Sequence, residues 1–249
     1  RQMCIRDRDK TLNSMVDASE NTIRKETYQT AAHFIDSGTT FLETDEGAIP
    51  LKIFGDHNLS NLSGAKWICQ LMGVEQDDFY QAIASFEGVS RRLEKIASSR
   101  NRFLFKDFAH SPSKVKATIT AVRKQFEGFK LIACLELHTY SSLDKKFIYN
   151  YRDSLSLSDF PIIFYDPVAL RIKNRHPITE KQIREAFDDH RIMIFIKPKA
   201  LEDFLLKQNY HKSVLLMMSS GNYGDISWDN LLSLIHISEP TRRYAISYA

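Results

Sequence analysis

The change of pattern after Gly88 constrains the fold more than any other feature of this sequence. From there on, short apolar segments alternate with amphipathic segments at helical spacing. The apolar segments show no polar alternation, which is typical of strands in a parallel sheet covered on both faces. We therefore predict a doubly wound α/β domain whose ligand site lies at the carboxyl ends of its strands. The predicted strands cover residues 103–105, 131–137, 162–165, 193–196 and 214–218, and the predicted helices cover 113–126, 145–157, 180–187 and 200–208.

The part before this domain is more polar and less regular. It predicts a helix around residues 20–32, a strand at 39–44 and a short strand from Ala48 that ends in glycine. Two further helices follow, the first with apolar residues at helical spacing from Leu59 to Met72 and the second over about residues 76–86. The change of pattern places the border near Lys95. The predicted domains therefore cover residues 9–95 and 96–231.

Both ends of the sequence look foreign to the protein. Residues 1–8 (RQMCIRDR) resemble the translation of a transposase-type sequencing adapter. Residues 232–242 (LSLIHISEPTR) and 246–249 (ISYA) resemble the partner adapter and its primer. A natural tail is the alternative, but two independent matches at opposite ends argue against it. We expect residues 1–8 and 232–249 to carry no selected structure, and the biological protein to continue beyond both borders.

The composition excludes several classes of partner. The 34 basic and 31 acidic residues are evenly scattered and give a formal charge of only +3, which disfavours a nucleic-acid or membrane surface. There is no apolar run of about eighteen residues, and the amino terminus is charged, so secretion and membrane spanning are disfavoured. Cys4, Cys69 and Cys134 form no CxxC pair, which indicates free thiols. We expect a cytoplasmic protein.

The strongest candidate for chemistry is residues 107–112 (DFAHSP), where a strand ends and a helix begins. Pro112 suits the first helical turn, Ser111 can cap the free amides, and a helix amino terminus favours a phosphate or carboxylate. Asp107 can accept hydrogen bonds from ribose hydroxyls, and His110 can donate to an anion. The alternative is an ordinary capped turn with a surface histidine.

Tandem arginines follow a glycine turn in residues 88–94 (GVSRRLE). The guanidinium of Arg92 can bind phosphate or ribose oxygens with two parallel hydrogen bonds, for which lysine is a poor substitute. A salt bridge between domains is the alternative interpretation.

A third motif, residues 55–61 (GDHNLSN), brings two asparagines to the start of a helix. Asn58 and Asn61 are three positions apart, so both can face one pocket. Their amides donate and accept hydrogen bonds, as the edge of a purine ring requires. Helix capping is the alternative role.

Two polar loops follow strands at the predicted ligand edge, residues 136–142 (ELHTYSS) and 218–224 (MSSGNYG). Both combine hydroxyl, amide or imidazole groups with small residues, which suits a polar peptide or a carboxylate. Ordinary turns have the same composition. The candidate residues for this binding are His138, Ser219 and Ser220.

No complete catalytic apparatus or metal site is evident. His57, His110 and His138 come from separate segments without paired spacing, so we predict no metal-ligand set in this sequence. The sequence lacks a GxSxG elbow, a GxGxxG turn and a GxxxxGK[ST] phosphate loop.

Taken in order, GDHNLSN, GVSRRLE, DFAHSPSKVKAT, ELHTYSSL and MMSSGNYG resemble the Mur ligase family over nearly all of residues 9–231. They are most similar to the murein peptide ligase branch, in Bacteroidetes-like forms. The branch that adds L-alanine usually has two histidines where this chain has His110 and Ser111, and Gln-Pro-His where it has Glu-Leu-His. The resemblance implies the end of an α/β ATPase central domain followed by a Rossmann-like carboxy-terminal domain with a doubly wound, mostly parallel sheet.

The resemblance also assigns roles to the candidate residues. It places Asn58 and Asn61 near the adenine, Arg92 on the nucleotide, Asp107 on the ribose and His110 by the nucleotide or the acceptor. His138, Ser219 and Ser220 become candidates for binding the acceptor peptide.

The family reaction is the activation of a UDP-N-acetylmuramate carboxylate by ATP to an acyl phosphate, which an amine then attacks, with Mg²⁺ balancing phosphate charge. The family's phosphate-loop lysine and magnesium ligands would lie outside this sequence, so we predict that the 249-residue chain alone is inactive. Two alternatives stay open: a UDP-N-acetylmuramate:L-alanine ligase, and a non-catalytic α/β module that binds a nucleotide or a peptide.

Overall fold

The computed structural model describes residues 4–5, 10–20, 24–25, 28–167 and 178–236. The chain divides into two compact units, residues 1–88 and 89–249. The predicted border at Lys95 falls inside a strand, Glu94–Ser99, that pairs with Arg102–Asp107 of the second unit. The second unit therefore begins before this strand, because an edge strand belongs to the sheet that supplies its hydrogen bonds.

The first unit contains a three-stranded antiparallel sheet and two longer helices. Its buried core includes Leu42, Leu51, Leu59, Leu62 and Phe79. The elements are β1 (Cys4–Ile5), α1 (Lys10–Asp17), β2 (Arg24–Lys25), β3 (His33–Asp36), β4 (Thr39–Thr44), β5 (Gly47–Leu51), α2 (Asp56–Leu71) and α3 (Gln76–Ser85). β1 pairs with β2 in parallel, and β4 is the centre of the β3-β4-β5 sheet.

The helix predicted around residues 20–32 is wrong. Arg24–Lys25 is a strand, and residues 28–32 have no regular structure. The segment NTIRKETYQT is rich in β-branched threonine and isoleucine, which lose side-chain freedom in a helix and favour extended structure. The strand predicted at 39–44 and the helix predicted over 76–86 are confirmed to within one residue.

The second unit is built on a six-stranded, mostly parallel sheet in the order β10-β9-β8-β11-β7-β6. β6 is antiparallel to β7 at one edge, and the other neighbours are parallel. The strands are β6 (Glu94–Ser99), β7 (Arg102–Asp107), β8 (Lys130–Glu136), β9 (Phe160–Phe164), β10 (Met193–Phe195) and β11 (Ser213–Met218). The helices are α4 (Pro112–Gln125), α5 (Glu180–Phe187), α6 (Pro198–Leu206) and α7 (Trp228–His236).

The predicted α/β sheet is confirmed, since all five expected strands are present in parallel register. The helix expected over residues 145–157 is wrong: only a 3-10 helix, Phe147–Tyr151, forms there, and turns follow it. The hydroxyls of Ser156 and Ser158 donate to the carbonyls of Asp153 and Leu155, three residues earlier. Such local hydrogen bonds compete with a continuous helix.

The described chain ends inside the segment that was predicted to be foreign. Helix α7 continues to His236, and Leu234 and Ile235 are buried, so the first residues of the segment predicted to be foreign pack in the core. The apolar run LLSLI extends the helical spacing begun at Trp228. Residues 1–3, 6–9 and 237–249 lie outside the described residues, and the prediction of foreign ends is not tested there.

Two further sequence predictions concern chemistry and membranes. Cys69 and Cys134 are free thiols, as predicted, and the side chain of Cys4 lies outside the described residues. Among the residues that the structure describes, no helix is both long enough and apolar enough to cross a membrane.

Candidate functional site

The carboxyl ends of β8, β11 and β7 lie side by side in the sheet. Asp107 is the last residue of β7, Glu136 is the last residue of β8, and Ser219 follows β11, which runs between them. The Ser219 amide donates a hydrogen bond of 2.9 Å to the Asp107 carbonyl. The structure therefore brings a predicted nucleotide residue, Asp107, next to a predicted acceptor residue, Ser219.

Asp107 is 6% exposed, and its carboxylate is surrounded by donors from the protein. One oxygen accepts hydrogen bonds from the Ala109 amide at 2.7 Å and the Thr118 hydroxyl at 3.2 Å. The other accepts one from the Leu93 amide at 2.7 Å. Asp107 thus ties the loop before β6 to helix α4, and its predicted contact with a ribose stays a prediction.

The loop of residues 88–94 has a strained backbone. Arg91 and Leu93 have positive φ angles of 59° and 47°, a region that residues with side chains rarely adopt. The Arg91 amide donates to the Glu94 carboxylate at 2.8 Å, and the Arg91 carbonyl accepts from the Phe108 amide at 2.7 Å. Together with the Asp107 contact to Leu93, these bonds hold the loop in this conformation.

The side chains of Arg91 and Arg92 are exposed on this loop. Within the described residues, neither guanidinium has a hydrogen-bond or ion-pair partner. Two positively charged groups are therefore presented on a loop of fixed conformation.

The turn into α4 confirms one sequence prediction and corrects another. Pro112 is the first residue of the helix, as predicted. Ser111 occupies the cap position, but its hydroxyl makes no capping hydrogen bond, so the predicted cap is wrong. The amides of the first turn have no side-chain cap, which leaves the positive end of the helix dipole available to an anion.

His110 is held in place from two sides. Its Nδ1 donates to the Phe108 carbonyl at 2.8 Å, and its ring packs edge-on against Phe108 at 5.0 Å. The hydroxyl of Tyr151 donates to the His110 carbonyl. Burial raises the pKa of Tyr151 to about 12, so this donor keeps its proton at any physiological pH.

Glu136 organises the neighbouring loop. It is 3% exposed, and one carboxylate oxygen accepts hydrogen bonds from the Ser219 hydroxyl and, at 3.0 Å, from the Tyr223 amide. The Ser219 hydroxyl in turn accepts one from the Gly221 amide at 2.6 Å. The other carboxylate oxygen lies 3.6 Å from Nδ1 of His138.

Sequence reasoning did not select Glu136 as a site residue. The available signal was its position at a strand end, two residues before His138. The structure thus groups His138 and Ser219 around a buried carboxylate. The Ser220 hydroxyl oxygen is buried and has no hydrogen-bond partner among the described residues.

The hydroxyl of Tyr223 fixes the base of the same loop. It lies 2.8 Å from the carbonyls of both Cys134 and Met218, the latter being the last residue of β11. Burial, together with the nearby Cys134 and Glu136, raises the pKa of Tyr223 well above its ordinary value. The hydroxyl therefore stays protonated and acts as a donor.

Asn58 and Asn61 lie in the first unit, on the first turns of α2. The Asn58 side-chain amide donates to the Phe54 carbonyl at 2.9 Å. The start of α2 has no side-chain cap, so the capping role left as an alternative is not observed. Asn61 is exposed. Their predicted contact with an adenine ring stays a prediction.

The first unit also contains an open cavity of about 440 Å³, lined by residues that include Tyr28, Lys66, Trp67 and Tyr80. None of the predicted site residues lines it. We place the candidate site at the sheet edge of the second unit, because buried carboxylates, exposed guanidiniums and an uncapped helix end meet there.

Among the residues that the structure describes, no three His, Cys, Asp or Glu side chains are arranged to hold a metal ion. The prediction that the magnesium ligands of the whole protein lie outside this chain is not tested by this finding.

The curated relatives and the solved structures that the chain matches are named as ligases of one kind. No protein-family model matches the chain. A UDP-N-acetylmuramate–L-alanine ligase from Caldicellulosiruptor bescii is 38% identical over 135 residues, which are 54% of this chain and 29% of that protein. The murein peptide ligase of Psychrobacter arcticus has a similar structure, with a TM-score of 0.58, 16% identity and coverage of 96% of this chain and 52% of that one.

The MurF ligase of Thermotoga maritima, solved in complex with ADP, matches with a TM-score of 0.61 and 16% identity over 92% of this chain and 51% of that one. The chain thus spans less than a third of the first relative and about half of each solved chain. The chain has the α/β fold of the Mur ligases, and its sequence similarity supports a relationship to that family.

Proposed function

We propose that the chain is part of a cytoplasmic, ATP-dependent ligase of peptidoglycan synthesis or recycling, which joins a peptide to UDP-N-acetylmuramate through an acyl phosphate. The observation that carries the proposal is the hydrogen bond from the Ser219 amide to the Asp107 carbonyl. It places the loop assigned to the acceptor beside the strand end assigned to the nucleotide. A reaction between the two substrates requires them to be close together.

The residues near Asp107 suit an anionic nucleotide. Arg92 is exposed on a loop whose backbone is held by hydrogen bonds to Asp107 and Glu94. Its guanidinium can therefore bind a ligand with little loss of backbone freedom. The uncapped first turn of α4 adds partial positive charge next to His110. Phosphoryl transfer is catalysed mainly by such positioning and electrostatic stabilisation. We assign the ribose to Asp107, the nucleotide or the acceptor to His110, and the adenine to Asn58 and Asn61.

The acceptor is assigned to the loops after β8 and β11. The residues assigned to it are His138, whose imidazole is 40% exposed, Ser219, whose hydroxyl is bonded to Glu136, and Ser220, whose hydroxyl oxygen is buried. A peptide with an amine and several carboxylates needs such mixed polar groups.

The phosphate-loop lysine and the magnesium ligands are proposed to lie in parts of the protein that this sequence does not include. When bound, Mg²⁺ would neutralise phosphate charge. The 249-residue chain by itself is then expected to form no amide.

The test uses the full-length protein with ATP, Mg²⁺ and UDP-N-acetylmuramate, with either the tripeptide L-alanyl-γ-D-glutamyl-meso-diaminopimelate or L-alanine as acceptor. We expect ADP, phosphate and amide with the tripeptide. Product only with L-alanine would instead establish the alternative that the Caldicellulosiruptor relative favours. Absence of turnover with both acceptors, together with retained nucleotide or peptide binding, would support a binding module.

Arg92→Lys tests the nucleotide assignment within this assay. Lysine keeps the charge but loses bidentate geometry, so we expect the KM for ATP to rise about tenfold, the loss of roughly one charged hydrogen bond. Arg91→Lys is the matched control, because Arg91 is the adjacent exposed arginine. Equal effects of the two substitutions would contradict a specific role for Arg92.

A further inference from the structure

The open cavity of the first unit is lined in part by apolar and aromatic side chains. Its volume of about 440 Å³ is of the size that binds small molecules in other proteins. Leu42 of β4 and Leu62 of α2 line it and are 3% and 4% exposed. Trp67 of α2 and Tyr80 of α3 add two rings to the lining. The cavity therefore offers apolar surface on which a flat ring can pack.

A third ring, that of Tyr28, lies against helix α2 at Gly64. A Cβ atom at Gly64 would overlap the phenol of Tyr28, so no residue with a side chain fits here unless the ring moves. Glycine inside a helix is destabilising. Its presence in α2 gives Tyr28 the space to take part in the cavity lining.

Lys66 brings a positive charge to the same lining. Its ammonium donates a hydrogen bond of 2.6 Å to the Tyr80 hydroxyl and lies 4.6 Å from the centre of the Tyr80 ring. In the part of the chain that the structure describes, no carboxylate pairs with this ammonium. An ammonium can donate three hydrogen bonds, and a half-buried charge is stabilised best by an opposite charge. Lys66 can therefore bind an anionic group of a ligand.

We propose that this cavity binds a small aromatic carboxylate. The ring of the ligand packs against the aromatic side chains, and its carboxylate accepts a hydrogen bond from the ammonium of Lys66. Two observations carry the proposal: the half-buried lysine whose printed partner is a neutral hydroxyl, and the aromatic lining for which α2 has a glycine. The inference goes beyond the proposed function, because none of the residues assigned to the nucleotide or the acceptor lines the cavity.

The first test compares matched probes by isothermal titration calorimetry of the 249-residue chain. 3-Phenylpropionate has the ring and the charge, 3-phenylpropionamide has the ring alone, and propionate has the charge alone. We expect a Kd of about 1 mM for 3-phenylpropionate and values at least about fivefold weaker for the other two. Equal Kd values for 3-phenylpropionate and its amide, or no saturation by 3-phenylpropionate at about 10 mM, overturn the proposal.

The place of binding is read from the indole N–H signals of the two tryptophans in the ¹⁵N-labelled chain. Trp67 lines the cavity, whereas Trp228 belongs to helix α7 of the second unit and serves as an internal reference. We expect 3-phenylpropionate to shift the signal of Trp67 and to leave that of Trp228 unchanged. Any other pattern contradicts binding in this cavity.

Lys66→Met tests the charge, because methionine keeps an unbranched side chain without the ammonium. We expect 3-phenylpropionate to bind this variant about fivefold more weakly, and 3-phenylpropionamide to bind it within about twofold of the wild type. Lys52→Met is the matched control, since Lys52 pairs with Glu87 and does not line the cavity. The proposal fails if Lys66→Met shows no selective loss of the carboxylate, or if the control shows the same loss.

The same titration of the full-length protein tests for a different occupant of the cavity. We expect 3-phenylpropionate to bind the full-length protein and the 249-residue chain with the same Kd. Binding to the 249-residue chain alone would show that another part of the protein fills the cavity, and would overturn the proposal. None of these measurements uses ligase activity, so their failure is distinguishable from a failure of the proposed function.

Discussion

Asp107 and Glu136 are each the last residue of a strand that flanks β11. Each is a buried carboxylate at a strand end, and each accepts hydrogen bonds from a loop amide and a hydroxyl. Hydrogen bonds to the ionised form stabilise a buried anion without a paired cation. Single acidic residues therefore fix the conformation of the loops at residues 88–94 and 219–223.

Asp107→Asn tests this at the residue scale. An amide offers one acceptor oxygen where the carboxylate has two, so either the Leu93 amide or the Ala109 amide must face a donor. We expect a loss of about 1–3 kcal/mol in the free energy of unfolding, the typical cost of a buried donor without a partner. Urea denaturation measures it.

Thr118→Val is the control for Asp107→Asn. It removes only the hydroxyl bond to Asp107 at 3.2 Å and keeps a branched side chain. A cost of about 1 kcal/mol is expected for one neutral hydrogen bond. The idea that Asp107 anchors the loop fails if Asp107→Asn costs no more than this control.

At the scale of elements, Asp159 joins three segments at the opposite, amino-terminal edge of the sheet. Its carboxylate accepts from the Leu131 amide at 2.7 Å and pairs with Arg123 of α4 at 2.8 Å. Burial raises the pKa of Asp159, but the hydrogen bonds from Arg123 and Leu131 and the charges of Arg123 and Arg191 outweigh it. The pKa is therefore held below its ordinary value.

The sign of this shift gives a pH prediction. A carboxyl with a lowered folded pKa contributes stability above its unfolded pKa of about 3.9, and that stability is lost as the pH falls through the folded pKa. We expect Asp159→Asn to unfold at lower urea than the wild type at pH 7, and the two to converge as the pH falls below the folded pKa. If the stabilities of the wild type and Asp159→Asn differ by the same amount at every pH from 7 downward, Asp159 contributes nothing through its charge.

The spacing of apolar residues correctly predicted the strands that are buried in the sheet. The strands through Ile132, Ile163 and Leu215 are continuous apolar runs, and these residues are fully buried in the sheet. Strand β6 was missed because EKIASS alternates weakly and lies at an edge. The helix predicted over 145–157 fails because serine hydroxyls bond their own backbone.

The candidate site was predictable only in part, because several of its contacts join residues far apart in sequence. Asp107 and Ser219 could be placed at one sheet edge, since parallel strands end together there. Local spacing could not show that Glu136 reaches the loop after β11, because their hydrogen bond joins positions 83 residues apart. The same limit applies to Leu93 and Asp107, whose contact explains the strained loop.

At the scale of the whole molecule, the two units differ in how well they bury their apolar residues. The second unit has an extensive core, in which strands β8, β9 and β11 are almost entirely buried. Among its described residues, the first unit has a smaller core and leaves large side chains exposed, among them Phe34, Ile68, Leu71 and Met72 at 42%, 59%, 50% and 78%. Ile68, Leu71 and Met72 lie within one stretch at the end of α2, and a contiguous exposed apolar patch is typical of an interaction surface.

This contrast predicts different behaviour for the two units when each is expressed alone. Residues 89–249 should remain monomeric and unfold cooperatively by circular dichroism, because the core of their described six-stranded sheet is buried. Residues 1–88 should associate or aggregate, as followed by light scattering, and Leu71→Gln with Met72→Gln should reduce that association by removing apolar surface at the end of α2. Phe79→Ala is the opposing control, since it empties the core of the same unit and should increase aggregation. If residues 89–249 show no cooperative transition, or if residues 1–88 stay monomeric without the surface substitutions, the stability of the chain does not divide in this way.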